Sequence, residues 1–310
     1  MKIGAKILAT TQGLGVMAKQ FFDNGVIDYV SVHSHSSREN HYDWFPHNLS
    51  EEELLQKSDV ILFFETPFNW KLIPRARELG KKTVLMPMYE CTRNPLPYIP
   101  DLIMNNSDLE QEMYPDGIRV VTPVDEKWKL RQFARVFVHN AGNGGLGGRN
   151  GTKELLEAMQ YVKSPIKLVI RSQIPIKQVS DPRIEYRIGS VNRELLYDEG
   201  DVFIFPEKFN GCSMPIQEAY ASGMAIMCGA REVMKSWLPN ELLIPVKGYK
   251  REKISTEFDS AIIDPKDIAT QIDFWYNKDI TQYSVMGKEW GQANSWKVWA
   301  KKYRDILENI

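Results

Sequence analysis

Short β-rich apolar runs alternate with helical stretches along almost the whole chain, and that beat leaves few folds open. In the first part, runs at residues 6–9, 27–32, 59–64, 83–87, 102–105 and 119–122 are interleaved with helical periodicity at 13–22, 51–57 and 70–79. Strand, helix, strand in this order predicts parallel sheet with right-handed crossovers. Ser50 ahead of Glu51, Glu52 and Glu53 marks a helix start, a side-chain oxygen followed by acids in the first turn. Gly80 marks the end of the helix at 70–79. The stretch Pro123-Val124-Asp125-Glu126-Lys127-Trp128 breaks the rhythm and reads as a linker. A second alternation follows, with strands at 134–139, 167–170, 184–187, 202–205 and 225–227. Its helices fall at 152–160, 194–198, 215–222, 266–276 and 284–310. The expected fold class is α/β, with two Rossmann-like doubly wound domains facing a cleft, residues 1–128 and 129–287. A length of 310 residues suits two such domains.

Composition removes several function classes. Lysine plus arginine, 39, nearly balances aspartate plus glutamate, 40, so no global basic field draws nucleic acid or membrane, although a local basic face stays open. The three cysteines, Cys91, Cys212 and Cys228, are odd in number and form no CxxC, which argues against a disulfide framework or zinc knuckle and for the cytoplasm. No apolar run reaches the roughly 18 residues of a membrane span, and residues 1–8 read as a first strand rather than a signal peptide.

Two segments carry the chemistry. The first, Gly142-Asn143-Gly144-Gly145-Leu146-Gly147-Gly148-Arg149-Asn150-Gly151, follows a strand and opens a helix. Glycines let backbone approach a ligand closely, and free N–H groups at a helix start favour an anion, so a diphosphate suits this loop. Arg149 adds a bidentate phosphate donor. Gly142, Gly144 and Gly147 also spell GxGxxG, but the following strand ends at Arg171-Ser172-Gln173, without the acid that binds a dinucleotide ribose. Arg171 is expected to be a second phosphate ligand, or a contact to the extra phosphate of NADP under a rival reading. The second segment runs from the strand Val202-Phe203-Ile204-Phe205 through Pro206-Glu207-Lys208-Phe209-Asn210-Gly211-Cys212-Ser213-Met214-Pro215-Ile216-Gln217-Glu218-Ala219 to Gly223. Pro215 opens a helix, and the N–H groups near Gly211, Ser213 and Met214 lie at its start, placed for phosphate or sugar hydroxyls.

This second segment resembles the donor-site signature of glycosyltransferase family 4, the retaining GT-B enzymes. In that signature a Glu-Gly-Phe-Gly-Leu-Pro turn is followed two residues later by Glu-Ala and then a small residue and glycine. The resemblance covers about residues 100–230. It implies a metal-independent transferase with no cofactor, using a UDP- or GDP-linked sugar as co-substrate. By the same resemblance Glu218 holds the ribose hydroxyls, and Gly211, Cys212, Ser213 and Met214 meet the donor sugar and phosphate. Gly144, Gly145, Gly147, Gly148 and Arg149 form the phosphate loop, and Ser190 and Val191 sit at the nucleobase. It also implies that Val124-Asp125 ends the first domain and that the last helix, about 288–310, packs back on it. Asn210 stands where the family has the first glutamate of its Glu-x7-Glu pair, so a neutral amide replaces a charge beside the donor sugar. Glu207 lies three residues earlier. With Asn210, Glu218 and Arg149 as catalytic groups, the reaction is expected to transfer a sugar to an acceptor hydroxyl.

On the acceptor side the expected contacts are Gly13 and Gly15 after the first strand, Glu65 after the third and Glu90 after the fourth. His33, His35, His41 and His47 cluster near Asp43, but no ligand spacing supports a metal. With Tyr42, Trp44 and Phe45 this segment reads as a polar acceptor loop. His139, ending the strand before the glycine loop, is read as a packed or capping residue or as a ligand. Trp296, Trp299 and Tyr303 follow helical spacing and are expected to pack. Glycan, lipid, protein and modified nucleic acid remain open as acceptors, the last including a modified DNA base of a virus. The rival readings are a sugar-nucleotide epimerase or hydrolase, an NADP-dependent oxidoreductase and a non-catalytic nucleotide-binding module.

Overall fold

The computed structural model describes residues 1–11, 13–34, 39–189 and 191–310, so His35 and Ser190 lie outside the described residues. The chain divides into two compact units, residues 1–123, 253–257 and 296–310, and residues 124–252 and 258–295.

The first unit contains β1 (Ile3–Ile7), α1 (Gly13–Asp23), β2 (Tyr29–Val32), α2 (Glu51–Lys57) and β3 (Val60–Glu65). It continues with α3 (Leu72–Glu78), β4 (Lys82–Pro87), β5 (Leu102–Asn105), α4 (Asp108–Met113) and β6 (Ile118–Arg119). All six strands run parallel in the order β2-β1-β3-β4-β5-β6. β1 and β3 are buried almost throughout, as expected for parallel strands covered on both faces. The Ser50 start is a full capping box: its hydroxyl accepts from Glu53 N–H, and its own N–H donates to Glu53 Oε2 at 2.8 Å.

The second unit holds β7 (Val136–Gly142), α5 (Thr152–Ala158), β8 (Lys167–Ser172), β9 (Ile184–Ile188), β10 (Val202–Phe205), α6 (Met214–Ala221), β11 (Ala225–Cys228) and α7 (Glu232–Lys235). A two-stranded ribbon of β12 (Val246–Lys253) and β13 (Glu257–Ile263) follows, then α8 (Pro265–Trp275) and α9 (Thr281–Ala293). Its main sheet is also parallel, in the order β11-β10-β7-β8-β9. Phe137, Leu168, Ile170, Val202, Ile204 and Met227 form the centre of its core against Leu155, Ile268 and Ile272.

Several elements differ from the sequence reading, α4 and α7 among them, since it contains neither helix. The helix expected over 194–198 is a single tight turn, Arg193–Leu195. The carbonyls that follow the turn go to arginines: Arg131 donates to those of Tyr197 (2.8 Å) and Asp198 (3.1 Å), and Arg171 to that of Leu196, so the helix is not extended. The last helical region is two helices, α9 and α10 (Trp296–Glu308). Between them the chain pairs with the linker: Val124 bridges Ser295, and its N–H donates to the Asn294 carbonyl at 3.0 Å. On α10, Trp296 and Tyr303 pack edge-on against Phe21 at 5.0 and 4.8 Å, and Tyr303 is fully buried. The ribbon β12–β13 likewise has no signal in the alternation. No described helix is long and apolar enough to cross a membrane.

Candidate functional site

In a parallel sheet, ligands bind beyond the carboxyl ends of the strands where the strand order reverses. In the second unit the chain runs from β7 outward to β8 and β9, then returns to lay β10 and β11 on the other side of β7. The reversal therefore lies between β7 and β10. The loops leaving those two strands are the two segments singled out in the sequence.

The loop after β7 is glycine backbone in the left-handed region, with positive φ at Gly142, Gly144, Gly145, Gly147, Gly148 and Gly151. Most side chains strain there. Gly151 is doubly constrained, since a Cβ would sit 2.1 Å from the Pro206 carbonyl oxygen, where the two loops touch. The Arg149 carbonyl accepts from the N–H of Lys208 at 2.8 Å, and Asn150 donates to the Ala141 carbonyl at 2.9 Å. A cavity of about 770 Å³ opens on the α5 side of the loop, lined by Gly144, Gly147, Gly148 and Lys208 together with residues of α5 and of 176–181, and its lining includes neither the turn at 210–214 nor Glu218. Lys208 is mostly buried and paired with Glu154 at 3.0 Å. His139 is packed: enclosure lowers its pKa to about 4, so it is neutral, donating from Nδ1 to the Ile204 carbonyl (2.9 Å) and accepting from the Thr152 hydroxyl (2.8 Å).

The loop after β10 is organised by a buried ion pair. Arg231, just beyond β11, donates to Glu207 Oε2 at 2.9 Å and to the Asn210 carbonyl at 2.7 Å; their side chains are 5% and 1% exposed. Glu207 Oε1 accepts from Asn210 Nδ2 at 3.0 Å and from the Ser213 hydroxyl at 3.2 Å. Ser213 precedes α6 but makes no side-chain cap, because its hydroxyl is spent on Glu207. The Asn210 amide is thereby oriented with its nitrogen toward Glu207, and its Oδ1 is buried without a hydrogen-bond partner among the described residues. Gly211 and Cys212 are buried in the same turn, and Met214 starts the helix. Glu207 and Arg231 are two positions that organise this turn and that the sequence did not rank. The only trace of them was the glutamate three residues before Asn210.

Glu218 projects from α6 into a third cluster. One carboxylate oxygen pairs with Arg193, and the other accepts from the Tyr197 hydroxyl at 3.0 Å. Tyr197 is enclosed, and burial together with the neighbouring Glu218 charge raises its pKa well above 10, so it stays a donor. The Asn140 side chain on β7 lies close to that hydroxyl, and both its polar atoms are buried without a well-formed hydrogen bond. Val191 is 37% exposed nearby in sequence. Arg171, expected at a phosphate, is 5% exposed and held by Glu199 and the Leu196 carbonyl; Glu199 also pairs with Arg187. Arg193, Tyr197 and Glu199 sit in and beside the stretch read as a helix at 194–198, and nothing local marks the partners the fold brings to them, which is why sequence reasoning missed them.

The first unit has its own reversal, between β1 and β3. Gly15 fits there because a Cβ would stand 2.2 Å from the Thr10 carbonyl oxygen, whereas Gly13 has open space around it. Glu65 ends β3 with φ of 58°, rare for a residue with a side chain, and its carbonyl accepts from Thr92. Glu90 has no exposed surface. The segment after Glu65 is held by side chains: Asn69 donates to Glu51 at 2.7 Å, Glu51 pairs with buried Lys6 at 3.1 Å, and Phe68 stacks on His33 at 4.5 Å. His41 stacks on Trp44. Among the described residues no three His, Cys, Asp or Glu side chains converge to hold a metal.

No protein-family model matches the chain, and neither does the sequence of any curated protein. Solved structures do. The chain is similar to HepE of Anabaena in complex with UDP and glucose, with a TM-score of 0.70, 9% identity and all of both chains covered. It is similar to the lipopolysaccharide outer core galactosyltransferase WaaB in its apo form (TM-score 0.65, 11% identity, all of both chains). A third likeness is to sucrose-phosphate synthase of Thermosynechococcus elongatus (TM-score 0.62, 14% identity, 100% of this chain and 99% of that one). The fold is of the GT-B type. At these identities the likeness extends to the GT-B fold as a class and not to family 4 within it.

Proposed function

We propose that this GT-B chain is a glycosyltransferase that moves a sugar from a UDP- or GDP-linked donor to an acceptor hydroxyl, with retention, without a metal ion and as a member of family 4. The observation that carries the reading is the reversal between β7 and β10. There a left-handed glycine loop meets the loop that leads into α6, the helix carrying the carboxylate of Glu218. The GT-B neighbours support it: HepE has been seen with UDP and glucose, and WaaB is a galactosyltransferase.

In this reading residues 129–287 take the donor and residues 1–128 the acceptor. The amides of Gly144, Gly145, Gly147 and Gly148, with Arg149, take the pyrophosphate, and Glu218 takes the ribose hydroxyls. The unpaired Oδ1 of Asn210 accepts from a hydroxyl of the sugar, and the amides of Ser213 and Met214 lie beside it. Arg171, tied to Glu199, adds positive potential under the loop instead of a direct contact. As the bond to the leaving phosphate breaks, the new negative charge meets these fixed donors, and the phosphate takes the acceptor proton. Glu65 and the loops at Gly13 and Glu90 position the acceptor, whether glycan, lipid, protein or modified nucleic acid. Three cysteines outside any disulfide fit a cytoplasmic protein.

The test is turnover of UDP- and GDP-sugars with chelator present, followed by release of the nucleoside diphosphate and by the anomeric configuration of the product. Arg149→Ala and Glu218→Ala are expected to lower turnover about tenfold or more while the fold survives. Stabilisation by NADP(H) and by no nucleotide sugar would overturn the reading.

A further inference from the structure

We infer that Arg193 and Tyr197 are positioning residues for nucleotide recognition, holding the Glu218 carboxylate as a rigid acceptor for a vicinal diol. The inference rests on the donor reading above and deepens it at one site.

Each oxygen of an ionised carboxylate offers two acceptor directions. At Glu218 one direction on each oxygen is occupied, by Arg193 on Oε1 and by Tyr197 on Oε2. Among the described residues no other donor takes the two remaining directions, one per oxygen, and neighbouring hydroxyls of a ribose present two donors at matching spacing. The carboxylate side chain is 15% exposed, so it is accessible but not freely hydrated. A carboxylate in that position, left alone, would be free to rotate about its last torsions. The two clamps come from one short segment, 193–197, and grip from different sides. Tyr197 is anchored: its ring packs edge-on against Phe203 of β10 at 5.8 Å, and its raised pKa keeps the hydroxyl a donor across the neutral range. Arg193 lies two residues after Val191, the described residue assigned to the nucleobase, so the segment that meets the base also fixes the group that meets the ribose.

Arg193 is 35% exposed, so removing it hydrates Glu218 and does not strand a buried charge. The consequence is specific. Loss of a clamp should weaken discrimination between ribose and deoxyribose more than it weakens the fold.

The experiment is calorimetric titration of the full chain with UDP, 2′-deoxy-UDP and 3′-deoxy-UDP, with GDP and its deoxy forms in parallel. The unaltered protein is expected to prefer the ribonucleotide by about tenfold or more per hydroxyl, the range for a hydrogen bond to a charged group. In Arg193→Ala and in Glu218→Gln that preference should fall to about threefold or less, with Tyr197→Phe between. The double variant should lose little beyond either single one, because the groups act as a unit. Arg193→Lys should restore part of the preference as a point charge without the fork. If Arg193→Ala does not fold, Tyr197→Phe and Arg193→Lys carry the same comparison. Full ribose preference in the Arg193 and Tyr197 variants, with loss in Glu218→Gln, overturns this inference alone. No binding of any of these nucleotides by the unaltered protein overturns the donor reading and this inference with it.

Discussion

Between β7 and β10 the second unit offers a ligand backbone: six left-handed glycines in one loop, with charged side chains paired beneath it. Between β1 and β3 the first unit offers side chains instead. Gly13 and Gly15 there have no positive φ, the strained residue is Glu65, and the loop is tied by Lys6, Glu51 and Asn69. Both sheets reverse at a corresponding place, so strand order fixes where a site lies. What the site takes depends on the loops. Backbone amides freed by glycine suit an anion of constant shape, whereas side-chain carboxylates and amides suit hydroxyls that vary from one acceptor to another.

This contrast can be broken in three ways. The largest effect should come from the buried ion pair. Arg231→Leu leaves Glu207 unpaired in the interior and is expected to cost about 3–5 kcal/mol in denaturant unfolding. Adding Glu207→Gln should recover part of that loss. Lys6→Met in the first unit, whose partner Glu51 is 33% exposed and can rehydrate, should cost clearly less. Equal losses would remove the distinction between the two sites.

The next effect concerns pH. His139 has its pKa lowered to about 4 by enclosure, so the unfolded chain takes up a proton near the usual 6.5 while the folded chain does not. The stability it contributes is complete above pH 6.5 and is lost as pH falls from there toward 4, by about 3 kcal/mol in all. His139→Gln should flatten that part of the profile, measured as the unfolding midpoint at each pH. A profile unchanged by the substitution would mean that His139 is solvated in the folded state.

The smallest effect separates the glycines. Gly151→Ala sets a Cβ against the Pro206 carbonyl at a φ of +70° and is expected to cost about 2 kcal/mol or more. Gly13→Ala enters open space in the first turn of α1 and should be neutral or stabilising by about 0.5 kcal/mol. Thermal unfolding of the two variants reads both.

Much of this protein is local information, and the sequence by itself determined it. The alternation of apolar runs and helices fixed the parallel sheets because period and strand chemistry depend on neighbours in the chain. The Ser50 capping box, the glycine loop and the Pro215 helix start are legible for the same reason. Only the tertiary structure decided which charges meet. Glu207 finds Arg231 twenty-four residues away, Arg171 finds Glu199 instead of open space, and Glu218 finds Arg193 and Tyr197. The helix expected at 194–198 is cut to one turn, and Arg171 of β8 and Arg131, beyond the linker, take the carbonyls that follow it. Ion pairs carry no periodic trace in sequence, because a long side chain can reach partners on any strand that the fold brings near.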